Sequence, residues 1–215
     1  MLKPIIKIIL IFHNFLYKVI SKLAIKENRG IHPKHELMKY ADFFLKNIDT
    51  GDAILDIGCG NGMIEKTIAK EAGHIIAIDI NCSLIEKNRR INSFPNVDYI
   101  CVDIFEYDGG NFDVVILSNL LEHLDRRKEL LLYLHKTSSR LLIRVPLIDR
   151  DWLTLYKRKM GIDYRLDRTH RIEYTLNEFK EETFASGWNM IDYSIKFGEL
   201  YAILVPYDSL SMQDK

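Results

Sequence analysis

Ala53-Ile54-Leu55-Asp56-Ile57-Gly58-Cys59-Gly60-Asn61-Gly62 is the stretch that decides the fold. Its first five residues read as a short buried strand. Three glycines at alternate positions then let the backbone approach a ligand closely and adopt positive φ. The following residues, 62–72, read as a helix. Strand, glycine-rich turn and helix together cradle a phosphate or nucleotide. The dinucleotide pattern G-x-G-x-x-G would need glycine at position 63, where this chain has Met63. That departure argues against a nicotinamide-dependent oxidoreductase.

Outward from this loop the chain alternates strands and helices. Residues 34–47 read as a helix with Leu37, Tyr40, Ala41, Phe44 and Leu45 on one face. After the loop helix come strands at 75–78, 97–102, 112–117 and 140–145. Helices at 82–92 and 125–136 lie between them. The apolar runs suit a parallel sheet covered on both faces, joined by right-handed crossovers. The end breaks the rhythm: a helix over 175–186 precedes strands at 188–196 and 200–205. Only Phe197-Gly198-Glu199 separates those two strands. So short a connection makes an antiparallel hairpin. The expected fold is α/β, with a doubly wound, mostly parallel seven-stranded sheet, a C-terminal antiparallel hairpin and added N-terminal helices.

Polar residues stand where strands end. Asp79 follows the second strand, about 20 residues after the loop, where a carboxylate accepts from ribose hydroxyls. Asp103 follows the third, placed for an adenine amine, with the Ile104 amide near a ring nitrogen. A helix-capping role is the plain alternative for Asp103.

Together, residues 54–62, Ile78-Asp79, Val102-Asp103-Ile104 and the run from Phe112 to Leu124 resemble the class I methyltransferase family. The resemblance covers about residues 35–206. It implies a Rossmann-like fold and S-adenosyl-L-methionine as cofactor. It also implies that Asp56, Gly58 and Gly60 hold the methionine part, with Cys59 in the same loop. Asp79 and Ile80 would meet the ribose, and Asp103 and Ile104 the adenine. Ser118 and Asn119 would lie beneath the sulfonium.

The cofactor's methyl group is already activated, so the protein chiefly aligns an acceptor. An oxygen or nitrogen acceptor can need a proton removed. His123 and His170 are the candidate bases, because histidine titrates near neutrality; structural roles in a helix start or in packing are the plain alternatives. Asn119, Glu122 and His123 share one side of a turn. With His170 they look like the metal site of small-RNA 2′-O-methyltransferases, except that Asn119 replaces the first Glu. Amide oxygen is a weaker ligand for a hard cation, so no metal is assigned. A non-catalytic S-adenosylmethionine-binding protein is the other alternative.

Thirty basic residues balance thirty acidic ones. No charge excess therefore argues for nucleic acid as a partner. The three cysteines, Cys59, Cys82 and Cys101, lack metal-ligand spacing. Their odd number argues against a disulfide framework and fits a reducing cytoplasmic setting.

We divide the chain into an amphipathic N-terminal helix, 1–30, and a methyltransferase domain, 31–215. On a helix, Lys3, Lys7, Asn14, Lys18, Ser21, Lys22 and Lys26 gather on one side, and apolar residues cover the rest. Lys7, His13, Asn14 and Lys18 make this a poor spanning segment, and no cleavage site suits a signal peptide. It either caps the domain or contacts a membrane peripherally through residues 4–26, on the inner face. Residues 147–171 form an insert that should overhang the acceptor pocket. Its mixed charges and aromatics suit a small-molecule, glycan or lipid-linked acceptor. Oligomeric state is not readable from sequence.

Overall fold

Residues 2–165 and 167–207 are described by a computed structural model. Residue 166 of the insert and residues 208–215 of the expected domain lie outside them. Seven strands form one sheet: β1 Ala53–Ile57, β2 His74–Asp79, β3 Val97–Cys101, β4 Val114–Ser118, β5 Leu141–Pro146, β6 Trp188–Lys196 and β7 Glu199–Pro206. Their order is β3-β2-β1-β4-β5-β7-β6. β1 to β5 pair in parallel, and β7 enters antiparallel between β5 and β6. The strand order reverses at β1, which runs beside both β2 and β4. The glycine loop leaves the carboxyl end of that strand, which is where an open α/β sheet forms a ligand crevice.

The hairpin turn is tighter than expected. Glu199 already pairs with Lys196, leaving Phe197 and Gly198 at φ 53° and 74°. Two left-handed residues match the twist of the flanking strands.

Helices cover both faces. α3 (Ala41–Lys46), α4 (Met63–Ile68) and α5 (Cys82–Ile91) place Phe44, Ile64, Ile68 and Ile85 on one core. α6 (Arg127–Leu134) and α8 (Leu176–Ala185) place Leu130, Leu131, Leu134 and Phe179 on the other. α8 begins with a reciprocal capping box between Thr175 and Glu178. Trp188, fully buried, donates its indole N–H to the Leu131 carbonyl at 2.9 Å.

Some expected helices are shorter. The one expected at 34–47 breaks into α2 (Lys34–Met38) and α3, because Lys39 turns left-handed at φ 45°. That turn swings Tyr40 inward over the Arg144 guanidinium, 3.8 Å from its ring centre, and leaves Leu37 exposed. The insert folds as a 3₁₀ turn, Ile148–Arg150, and α7, Trp152–Lys159.

The N-terminal helix is a single element, α1, Lys3–Glu27, with Leu10 its one buried residue. It does not bury its apolar face as a cap would. A narrow stripe touches the body: the Asn14 amide donates to the Asp163 carbonyl at 2.6 Å, and Ser21 meets His32 at 3.0 Å.

The expectation of three reduced cysteines is not met. Cys82 and Cys101 form a disulfide, with their Cα atoms 5.0 Å apart. Parallel pairing sets Asp79 beside Cys101, and Cys82 opens α5 three residues after Asp79. Sequence distance therefore becomes contact, and the cysteine argument for a reducing compartment falls away. Cys59 stays a free, buried thiol.

A thiol titration of the unfolded, unreduced protein should accordingly find one thiol per chain; three would show the pair unlinked. Closing a loop of this size contributes about 3 kcal/mol. Replacing both cysteines by serine should lower Tm by roughly 6–12 °C.

Candidate active site

The glycine loop is held from both sides. Gly58 and Cys59 donate backbone N–H groups to the Ile78 carbonyl at 2.8 and 3.1 Å. Gly60 donates to Asp79 Oδ2 at 3.0 Å, and Asn81 to Asp79 Oδ1 at 2.8 Å. From α5, Asn88 donates to the Gly60 carbonyl at 2.9 Å. Asn92, one turn later, donates to the Asn61 carbonyl at 3.4 Å. Both asparagines are almost completely buried. Sequence reasoning missed them; the signal was two amides four residues apart in a helix otherwise rich in Lys and Arg.

Two glycines are sterically required. At Gly58, φ is 75° and an added Cβ would meet Leu120 Cδ1 at 3.0 Å. At Gly62, φ is 70° and a Cβ would meet Asn92 Nδ2 at 2.3 Å. The backbone conformation also excludes most other residues there.

Above the loop lies a cleft of about 190 Å³, lined by Gly58, Cys59, Gly60, Ser118, Asn119 and Arg144, with His35 and Tyr40 closing one side. That volume suits the amino-acid end of a nucleoside ligand rather than the whole. The nucleoside side continues along the strand ends: Asp79 is half-buried, Ile80 is 74% exposed, and Asp103 is exposed. Asp103 takes the capping role, accepting from the Phe105 N–H at 3.0 Å through Oδ1. Ile104 is buried beneath it.

Asp56 does not line the cleft. Its carboxyl is buried against Glu65 of α4, and no donor among the described residues reaches Asp56 Oδ2 or either Glu65 oxygen. Two adjacent buried carboxylates cannot both ionise, so burial first, then the Glu65 charge, raises Asp56 well above its ordinary range. Burial pushes Glu65 up as well, to about 7. Burial likewise pushes the Cys59 thiol up, which makes it inert as a nucleophile.

Arg144 was not foreseen. It sits on β5 and is 3% exposed. Its Nε donates to Asn119 Oδ1 at 3.0 Å and pairs with Glu199 Oε2 at 2.8 Å. Nη1 has no acceptor among the described residues. Arginine inside an otherwise apolar strand was the available signal. Beside it, His35 meets the Tyr40 hydroxyl at 2.5 Å. Burial, then Lys34 and Arg144, lowers the His35 pKa to about 4, so that ring is neutral.

The structure brings His123 and His170 together. Their rings meet edge to face, 4.6 Å between centres. The 3₁₀ turn Leu121–His123 carries one, and the end of the insert carries the other. Backbone N–H groups of Arg171 and Ile172 donate to the Glu122 carbonyl at 2.7 and 3.4 Å and clamp the two segments. Thr169 donates to Asp167 Oδ1 at 2.8 Å, so its oxygen accepts from His123 Nδ1 at 2.8 Å. That arrangement leaves a lone pair on His123 Nε2. Burial, then the neighbouring His170, lowers the His123 pKa. His170 Nδ1 lies 3.3 Å from Glu173, which is itself paired with Arg150.

Glu122 is fully buried, and neither oxygen has a donor among the described residues. Ligand atoms of Glu122, His123 and His170 lie within 4.8 Å of one another, a spacing that admits a cation. Asn119, the fourth position of that pattern, is engaged by Arg144.

A family described as "Methyltransferase domain" matches residues 29–193. The chain belongs to the class I S-adenosylmethionine-dependent methyltransferases. Its cofactor is S-adenosylmethionine. Phosphoethanolamine N-methyltransferase 1 of Triticum aestivum is 35% identical over 81 residues, 35% of this chain and 16% of that protein. Ubiquinone biosynthesis O-methyltransferase of Coxiella burnetii is 34% identical over 77 residues, 34% of this chain and 33% of that one. The match thus spans a third or less of these relatives. Among solved structures, magnesium protoporphyrin IX methyltransferase from Synechocystis PCC 6803 aligns with TM-score 0.62 at 16% identity. It covers 80% of this chain and 83% of its own. N-methyltransferase NodS from Bradyrhizobium japonicum WM9 aligns with TM-score 0.59 at 13% identity, over 80% and 86%. These likenesses concern the fold.

Burial raises the Glu122 pKa from 4.5 to about 8. A carboxyl raised on folding stabilises the fold below its unfolded pKa, and that stability is lost as pH rises through the folded one. Melting temperature of the ligand-free protein should therefore fall between about pH 4.5 and pH 8, and Glu122→Gln should flatten that fall. An unchanged slope in the variant would remove Glu122 as its source.

Proposed function

We propose that this chain transfers the methyl group of S-adenosylmethionine to an oxygen or nitrogen atom of a small-molecule, glycan or lipid-linked acceptor, on the cytoplasmic side of a membrane. The observation that carries the reading is the His123 imidazole, its Nδ1 engaged by Thr169 and its pKa lowered, four residues past Asn119, which lines the cofactor cleft. When bound, the cofactor supplies a methyl group already activated by the sulfonium charge.

The residues then divide by task. Gly58, Cys59 and Gly60 present backbone to the methionine part, and Asp56 supports that loop through Glu65. Arg144 Nη1 donates to the methionine carboxylate, a buried charge-assisted bond of the strong kind. Asp79 and Ile80 receive the ribose. Asp103, through the oxygen that its cap leaves free, and Ile104 receive the adenine. Ser118 and Asn119 form the floor near the methyl. His123 Nε2 accepts the acceptor's proton, and the Asp167–Thr169 chain keeps Nδ1 protonated. His170, held by Glu173, packs against the His123 ring and keeps it in place. The insert, 147–171, walls the acceptor side. No net charge favours RNA.

The metal-assisted reading has one observation in its favour, the spacing of Glu122, His123 and His170. A chelator separates the two. Turnover should survive it; loss restored by magnesium or manganese would replace the base mechanism with a metal-assisted one.

Incubation with methyl-labelled cofactor and cell extract, then fractionation, should place label in small molecules, glycans or lipids rather than RNA. Cofactor binding with no labelled product would mark a binding protein instead. His123→Ala should lower kcat about 10²–10⁴-fold and remove the acidic limb of its pH profile, with cofactor Kd unchanged. Arg144→Lys should raise cofactor Kd about 10–100-fold, the loss of one buried charged hydrogen bond; an unchanged Kd would refute its assignment.

A further inference from the structure

A second cavity, of about 440 Å³, lies between α1 and residues 150–165. His13 and Lys18 of α1 line one wall, and Arg150, Lys157 and Arg165 the other. Two acids also line it, and both are engaged locally. Asp151 caps α7 through Thr154 N–H and Oγ1 at 2.7 and 2.9 Å. Asp163 faces Arg165 and Arg168, each at 3.6 Å. Lys157 is different. It is 9% exposed, its Nζ lies 3.2 Å from His13 Nδ1, and no carboxylate stands within 4.0 Å of it among the described residues. Asp151 and Asp163 act on this ammonium from a distance, but neither pairs with it directly, and a bound anion would supply that direct partner.

What surrounds the cavity indicates where that anion comes from. α1 touches the body through its narrow polar stripe, and the opposite side is apolar and bare. Ile8, Phe12, Phe15, Ile20 and Leu23 are 57–67% exposed. Lys18, Lys22 and Lys26 flank that side. By length and composition α1 could cross a membrane. However, His13 and Asn14 fasten its middle to the insert, so it lies along the body instead. Apolar surface on one side, with lysines beside it, fits a helix lying in an anionic bilayer interface. Trp152, 73% exposed at the cavity, is of the residue type that sits at headgroup depth.

We propose that this cavity binds the phosphate headgroup of an anionic membrane lipid, with the apolar side of α1 lying in the bilayer beside it. The headgroup accepts from Lys157, Lys18 and Arg165. Arg150 joins the cavity to the His170 side through Glu173. The inference goes beyond methyl transfer and does not depend on it.

Flotation of the purified full-length chain with vesicles tests it. The chain should float with phosphatidylcholine mixed with phosphatidylglycerol and much less with phosphatidylcholine alone. Lys157→Met should weaken that binding roughly tenfold, and Lys157→Arg should restore it. Phe12→Asp should release the chain from vesicles. Both changes should leave S-adenosylmethionine affinity and melting temperature near those of the unaltered chain, which separates lost lipid binding from lost folding or lost methyltransferase function. Equal flotation with both vesicle types would overturn the proposal. So would unaltered binding by Lys157→Met. Glycerol phosphate binding as tightly as vesicles, indifferent to Phe12→Asp, would mark a free-phosphate site and overturn the lipid. Failure to float, with self-association that Phe12→Asp abolishes, would assign the apolar side to a second copy instead.

Discussion

One buried guanidinium organises the centre of this protein. Arg144 lies in the middle of the sheet, where an unpaired charge would cost several kcal/mol. Its neutralisation draws in three parts of the chain. Glu199 comes from β7, so the reversed strand brings the countercharge to β5. Asn119 comes from the end of β4, and its left-handed backbone at φ 52° turns the amide towards Nε. Tyr40 comes from the N-terminal side and covers the guanidinium face. The open Nη1 is left for the cofactor cleft. Fold and site thus share one electrostatic solution.

The cleft itself is preorganised by backbone. A strand that ends at the sheet's reversal point, three left-handed glycines, and two buried asparagines, one on α5 and one capping its end, leave the loop little freedom. Its N–H and carbonyl groups are already directed, which limits the entropy lost when a ligand binds. The Cys82–Cys101 disulfide fastens the nucleoside side of the same cleft, between the start of α5 and the end of β3. On the acceptor side, the His123–His170 pair joins the core turn after β4 to the insert. The insert reaches α1 in its turn. Polar contacts therefore run from His170 through Glu173 and Arg150 to the Tyr164 carbonyl, beside the Asp163 carbonyl that takes the Asn14 amide of α1.

Much of the fold was legible because periodicity and turn chemistry are local. Apolar runs marked the strands, and a connection of three residues dictated the hairpin. Boundaries were less legible where a distant residue intervened. The helix at 34–47 breaks because Tyr40 is drawn to Arg144, more than 100 positions away in the chain. The site divides in the same way. Gly58, Gly60, Asp79, Ser118 and Asn119 stand where the motifs put them, at strand ends. Asp56 is in its expected strand but faces Glu65, because the strand's alternation turns it towards α4. Asn88, Asn92 and Arg144 carried no motif, and their roles exist only in three dimensions.

The glycine spacing, the strand-end carboxylates and the terminal hairpin determined the class of fold and a nucleoside-binding crevice, and the resemblance these motifs carry implied the cofactor, since each is a short-range pattern. Tertiary structure decided the rest. It joined two of three cysteines by setting β2 and β3 in register, and brought His170 to His123 across 47 residues of chain. It also left the broad face of α1 bare. Such choices depend on which distant groups can satisfy one another once the sheet has formed, and no local pattern encodes that.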